Sequence, residues 1–415
     1  MIAPGPTVVG RAGTVRAPHC PATPRRSRAA TRAARASLGR YRPDPSSSHT
    51  EGNKPVHDRT VLPLIVGSYT EQLPHVEGKA EGLLAAWFDT TTGRISSVST
   101  LITARNPSFV ALSPCGSILY AVNEVRTFQG VAGGGVEAFA RDPVSGALSR
   151  LNTRPTGVDP CHLVVDPTGR FVLTANYGDG SVTVFRIEDD GRLGEPTDQV
   201  RHQGRGTDHS RQAGPHVHMI ACTPWAGEVL VTDLGLDQIR VYSLDARGRL
   251  TPRPTARIDT PPGAGPRHLA LSPDGIHLFV VNELDNTVLT LRRSDNRYQQ
   301  SHRVSTLPAN FDAHNRTSAI RVTPSGRLVL VANRGHDSIA MLRFDELAGT
   351  LRLIGTAPIP GQEPRDLVVT QDGRHVIVAA QESNLLVSYE LDEEIPELRM
   401  VHSVPAPSPS SVFLG

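Results

Sequence analysis

Residues Gly263 to Arg293 read GAGPRHLALSPDGIHLFVVNELDNTVLTLRR and hold three short apolar runs, Leu269 to Leu271, His277 to Val281 and Thr287 to Leu291. Turn chemistry separates them: Ser272-Pro273-Asp274-Gly275 first, then Glu283-Leu284-Asp285-Asn286. Short runs rich in Val, Leu and Phe, bounded by Pro, Asp, Asn and Gly, are antiparallel strands joined by tight turns. Three such strands cannot bury both faces of their own sheet, so the segment needs neighbours of the same kind.

The chain supplies them. Similar stretches begin at Pro107, Pro160, Pro215 and Ser318, and a weaker copy begins at Pro364. A turn Pro at 114, 167, 224, 273 and 324 is followed nine residues later by Asn123, Asn176, Asp233, Asn282 and Asn333. The last copy keeps that spacing with Gln371 and Ala380. Successive units lie 53, 57, 49, 51 and 47 residues apart. Periods near 50 with several strands per unit indicate propeller blades. With an irregular unit at 62–100, the expectation is an all-β, seven-bladed β-propeller.

Composition agrees with a turn-rich β protein: 37 Gly and 34 Pro in 415 residues, and 38% hydrophobic content. Net charge is +2, and no basic run lies within the repeats, so nucleic acid is not expected as a partner. No apolar run reaches the roughly 18 residues that a membrane span requires, so no membrane is expected either. The four cysteines lack CxxC spacing, which suits a reducing, cytoplasmic setting. Residues 1–60 are rich in Arg, Ala, Pro and Ser, with Asp44 the only acid before Glu51. They read as a disordered tail or as an organelle-directing transit peptide outside the fold. The propeller is expected over 61–404, with 405–415 as a flexible C-terminal tail.

In a propeller blade the two inner strands form a hairpin, and here the Ser-Pro-x-Gly turn sits at its tip. Starts of first strands and ends of second strands must then meet at the opposite end, around one channel mouth. The starts place Cys161, His162, His216, His218, Arg267, His268, Arg365 and Asp366 there. The ends place Glu124, Tyr177, Asp233, Glu283 and Arg334. Two long irregular segments, Gln199 to Gly214 and Ser305 to Thr317, lie near the same face, and the first carries Arg211.

The motifs GSYT (67–70), NPSF (106–109), ANYGDGSV (175–182), RQAGPHVH (211–218), TDLGLDQIRVY (232–242), GAGPRHL (263–269), VNELDNTV (281–288) and NRGHDSIA (333–340) occur in that order. The chain resembles the seven-bladed propeller lactonase family over about 62–392. The resemblance implies hydrolysis of 6-phospho-D-glucono-1,5-lactone to 6-phosphogluconate in the pentose phosphate pathway, with no cofactor and no metal. The same fold serves carboxymuconate cycloisomerase-type enzymes, whose site residues carry over to His218, Arg267, Glu283 and Arg334.

Lactone hydrolysis needs an activated water, a stabilised oxyanion and, for this substrate, a phosphate anchor. Glu283 or His218 is the expected general base, each titrating near neutrality when tuned by its neighbours. Arg267 suits the oxyanion as a fixed cation. Arg334, Arg211 and Arg365 suit the phosphate, because a guanidinium fork matches its oxygens. His162, His216 and His268 are further candidates for substrate contact. Cys161 beside His162 is not expected to be a nucleophile pair, since adjacent strand residues face opposite ways. His336 more simply supports a turn. The rivals are another propeller lactonase or a lactonising cycloisomerase acting on a carboxylated lactone, and a non-catalytic propeller scaffold. A monomer or weak dimer is expected.

Overall fold

Each strong repeat folds into four antiparallel strands, and the computed structural model shows seven such sheets arranged around a channel. It describes residues 60–253 and 257–415, so the leader expectation for 1–60 lies, Thr60 aside, outside the described residues. Blades 2 to 7 follow the chain, with inner strands Val110–Leu112, Pro160–Val165, Val217–Cys222, Pro266–Leu271, Arg316–Val322 and Pro364–Val369. In blade 4 the outer edge is shared by two short strands, Leu250–Pro252 and Ile258–Asp259.

The turn signature works as its residues require. Gly116, Gly169, Gly275, Gly326 and Gly373 close the inner hairpins with φ of 69, 69, 75, 77 and 74°, a region that favours glycine. The second strands, such as Phe171–Asn176 and His277–Asn282, are buried along their whole length. They read as unbroken apolar runs because both faces of each sheet meet another sheet. The hydrophobic core is accordingly divided. Seven apolar clusters each join two successive blades, for example Phe279, Val281 and Val288 of blade 5 with Ile320, Val329 and Val331 of blade 6. Each fully buried Val, Leu or Phe contributes about 1.5–3 kcal/mol. The blade interfaces therefore hold the ring, and the channel is left to polar side chains.

Two expectations about the chain ends are corrected. Residues 405–415 are not a loose tail, because Pro409–Leu414 forms the inner strand of blade 1. The N-terminal strand Val61–Ser68 does not complete the 364–402 unit, which supplies its own four strands. It pairs with Pro409–Leu414, Leu64 opposite Leu414 and Val66 opposite Val412. The segment PSSVFL repeats the inner-strand pattern of PRHLAL, a Pro and two polar residues before apolar ones, and so completes the four strands of blade 1 and closes the ring.

Candidate active site

Two rings of side chains surround the channel mouth. Six residues before each turn position stand Ser108, Cys161, His218, Arg267, Ser318 and Arg365; ten residues after it stand Glu124, Tyr177, Leu234, Glu283, Arg334 and Gln381. Ser410 and Tyr69 hold the matching places in blade 1. This register corrects the reading of Asp233, which falls one residue short of the mouth and is buried, accepting from the His216 N–H at 2.9 Å and meeting His202 Nδ1 at 2.6 Å.

The inner strands slip register at the first ring, between Pro160 and His162, Val217 and Met219, Pro266 and His268, and Pro364 and Asp366. A bulge sets two residues against one. Consecutive residues such as Arg267-His268 and Arg365-Asp366 therefore both line the channel. Strict alternation fails here, so it does not separate Cys161 from His162. The thiol is set aside for another reason: burial, then the Glu124 charge, push its pKa up and keep it protonated.

Above the channel opens a funnel of about 390 Å³ lined by both rings and by the loops that reach over them. On one side Glu283 is gripped by three arginines. Arg267 Nε and Arg334 Nη2 each approach Oε2 at 3.0 Å, and Arg211 Nη2 approaches Oε1 at 2.7 Å. Arg267 also donates from Nη1 to the Ser318 carbonyl at 2.7 Å, and Arg334 from Nη2 to the Thr317 carbonyl at 3.0 Å. Burial pushes the Glu283 carboxyl up, but Arg334, Arg267 and Arg211 outweigh it and hold the group well below the usual carboxylate range. The expectation that Glu283 titrates near neutrality is therefore corrected: its proton is gone long before neutral pH. Burial, then the neighbouring Arg334 charge, pull Arg267 down to about 9, still cationic. Burial and then Arg267 hold His218 well below its usual value, a neutral imidazole 3.8 Å from the Cys161 sulfur.

On the opposite side Glu124 pairs with no arginine or lysine among the described residues. Its Oε2 accepts from Ser108 Oγ at 2.5 Å and from Tyr69 Oη at 2.9 Å. Oε1 turns to the funnel, where His75 Nε2 stands 4.0 Å away. Burial raises this carboxyl, against the opposing pull of Arg365, Ser108 and Tyr69. Arg365 donates to Tyr69 Oη at 2.7 Å and lies over its ring, 5.2 Å from the centroid. Among the described residues it has no carboxylate partner, unlike Arg211, Arg267 and Arg334.

Of the residues expected at the mouth, Glu124, Cys161, Tyr177, His218, Arg267, Glu283, Arg334 and Arg365 line the funnel, joined by Arg211 from its loop. His216 does not; it stacks behind Tyr177, ring centroids 4.4 Å apart, and its Nδ1 lies 2.9 Å from the Tyr177 carbonyl oxygen. His162 and His268 pack lower in the channel, 5.9 Å apart, with Phe109 4.2 Å from His162. His336 is 2.6 Å from Ser338 Oγ and holds a turn. Arg211 arrives on the irregular 202–216 segment, braced by Gln212, whose amide spans Thr207, Asp208, Leu234 and Asp237.

The sequence reading gave no role to Tyr69, His75, Ser108 or Arg316, all at or beside the funnel. His75 rides on a small hairpin, Gln72–Leu73 with Val76–Glu77, too short to leave a strand signal. Tyr69 and Ser108 were findable, since GSYT and NPSF put them in the two rings. Among the described residues no three His, Cys, Asp or Glu side chains group as a metal site requires.

The sequence profile of the family described as "Lactonase, 7-bladed beta-propeller" matches residues 63–414. A Bacillus subtilis protein named 6-phosphogluconolactonase is 37% identical over 306 residues, 73% of this chain and 83% of its own length. A solved structure from Bacteroides fragilis superposes with a TM-score of 0.79 at 31% identity, covering 87% of this chain and all (100%) of the other. The periplasmic gluconolactonase of Pseudomonas aeruginosa gives 0.79 at 30%, covering 85% and 99%.

Proposed function

The chain belongs to the seven-bladed β-propeller lactonase family, and from that premise we propose that it is a 6-phosphogluconolactonase, adding water to 6-phospho-D-glucono-1,5-lactone. It is a lactone-hydrolysing enzyme, and the reading of the fold as a mere scaffold is set aside. The observation that carries the phosphorylated substrate is the excess of fixed cations. Six arginines, Arg126, Arg211, Arg267, Arg316, Arg334 and Arg365, line a funnel that holds four carboxylates, Glu124, Asp159, Glu283 and Glu363. Arg365 in particular offers a guanidinium fork with no carboxylate to occupy it, which suits a phosphate.

In this reading the lactone carbonyl lies against the Arg267 edge. Nε and Nη1 of Arg267 are engaged by Glu283, Ser318 and His268, leaving Nη2, with no hydrogen-bond partner among the described residues, for the oxygen that becomes negative. Glu283 acts as the fixed anion that keeps three guanidinium groups together and still, so the site is set before the charge develops. Neutral His218 supplies a hydrogen bond rather than a charge. Arg211 and Arg334, tied to Glu283, complete the positive wall. His162, His216 and His268 support these groups from behind or below. The catalytic unit is residues 60–414, working as a monomer or weak dimer. A sugar phosphate substrate places it in the cytoplasm, or in an organelle if residues 1–60 direct it there.

The gluconolactonase name of the Pseudomonas structure favours a second reading, in which the substrate lacks phosphate, and a carboxylated lactone would also fit the cationic wall. Ring opening of the three lactones, followed after subtraction of the spontaneous rate, separates them. The phosphorylated lactone is expected to have a kcat/KM at least about tenfold above the others, and equal values overturn the assignment.

A further inference from the structure

Glu124 and Glu283 hold the same place in their repeats, ten residues after Pro114 and Pro273, yet their surroundings divide them. Both Glu283 oxygens are taken by guanidinium groups. Glu124 has one oxygen taken by two hydroxyls, while the other faces the funnel with His75 Nε2 4.0 Å away and no guanidinium paired to it among the described residues. A general base must present a free oxygen to the water it activates and must be held so that this oxygen points at it. Ser108 and Tyr69 provide that hold from two different blades.

We infer that Glu124 is the general base of this site and takes a proton from the water that attacks the lactone carbonyl. The inference deepens the hydrolase reading above and rests on it. Water oxygen bonds to the carbonyl carbon, one water proton passes to Glu124 Oε1, and the carbonyl oxygen becomes an oxyanion facing Arg267. As the tetrahedral intermediate collapses, the bond from carbon to ring oxygen breaks. The proton held on Glu124 then goes to that ring oxygen, giving a hydroxyl and regenerating the carboxylate. One water is consumed, and the product acid loses its own proton to solvent. Tyr69 is a positioning residue: it donates to Glu124 while accepting from Arg365, and so links the base to the phosphate anchor.

Two carboxylates driven in opposite directions by their surroundings are the usual mark of divided roles. Burial lifts Glu124 toward the working pH, where a base is most effective. The groups facing it are Tyr69 and His75 from blade 1, Ser108 from blade 2, Asp159 and Cys161 from blade 3 and Arg365 from blade 7. Burial and then Arg365 push His75 down to about 3, so it brings no charge at neutral pH.

The test is the pH profile of kcat/KM in wild type, E124Q and Y69F, with 6-phosphogluconate binding measured by calorimetry. E124Q is expected to lose about 10²-fold or more in kcat, to bind 6-phosphogluconate as before, and to lose the acid limb from its residual rate. Y69F removes a donor that favours the ionised carboxylate, so its acid limb should move to higher pH. Activity of E124Q within about threefold of wild type overturns the inference, as does a Y69F limb that stays in place. A wild-type protein inactive on every lactone instead overturns the hydrolase reading, so the two failures are distinct.

Discussion

The two walls of the funnel are built on one backbone plan and do opposite things. On the blade 5 side, the residue six before the turn Pro is Arg267 and the residue ten after it is Glu283, 3.0 Å apart. On the blade 2 side the same two places hold Ser108 and Glu124, 2.5 Å apart. Glu283, held by Arg267 together with Arg334 and Arg211, is a locked carboxylate, whereas Glu124 is lifted by burial and steadied by the more distant Arg365 and by two hydroxyls. The repeat fixes where the carboxylates stand, and the side chains that neighbouring strands and loops bring to them decide what each can do.

The largest expected effect comes from breaking the locked wall. In E283Q three guanidinium groups face each other with no anion between them, and removing one partner of a buried ion pair typically costs about 3–5 kcal/mol. The melting temperature should fall by several degrees at neutral pH, and kcat/KM by about 10³-fold. A variant that melts and turns over like wild type removes the distinction between the walls.

The next effect sharpens it through stability, where the two carboxylates should differ in sign. Glu283 has a depressed folded-state pKa, so its contribution is present above the ordinary value of 4.5 and is lost as pH falls through the folded value. Glu124 has a raised one, so the folded state loses stability on its account as pH rises from 4.5 through the folded value. E124Q should therefore melt higher than wild type at pH 8, with the gain fading toward pH 4. Melting curves across that range check it, and an E124Q protein less stable than wild type at pH 8 contradicts the assigned environment.

Arg365 tests the division of labour among the cations. R365A should raise KM for the phosphorylated lactone about 10- to 100-fold, as loss of charge-assisted hydrogen bonds implies. It should leave KM for gluconolactone within about threefold. Equal losses on both substrates would place the phosphate elsewhere on the wall. The smallest effect is expected at His216, which touches Tyr177 from behind. H216A should lower kcat/KM by no more than about fivefold, and a 10²-fold loss would put that ring in the reaction after all.

How far the sequence could be read follows the same logic. Blade number and register were legible because five hairpins repeat a turn Pro with Asn or Asp nine residues on, a local signal that turn chemistry imposes, and the last copy keeps the spacing. Closure was not, because PSSVFL lacks the downstream turn and second strand that mark every other inner strand. Arg267 and Glu283 could be placed together, being sixteen positions apart within one hairpin. Glu124 was placed at the mouth but given no chemistry. Its state depends on Tyr69, Ser108 and Arg365, which three different blades bring to it. Setting Cys161 aside as a nucleophile stands, but the alternation argument for it failed on a bulge, which no residue type in that stretch announces.

The pairing of Val61–Ser68 with Pro409–Leu414 also sets a schedule for synthesis. On the ribosome, blades 2 to 7 can form one after another as they emerge, each hairpin local in sequence. Blade 1 cannot, since the second strand of the ring is among the first residues made and its inner neighbour among the last. Until residue 414 is free, Leu64 and Val66 wait with one flank uncovered, an exposed apolar strand of the kind chaperones hold and aggregates recruit. Ring closure is thus a late, high-contact-order event, and the half-built protein is most vulnerable when it is nearly complete.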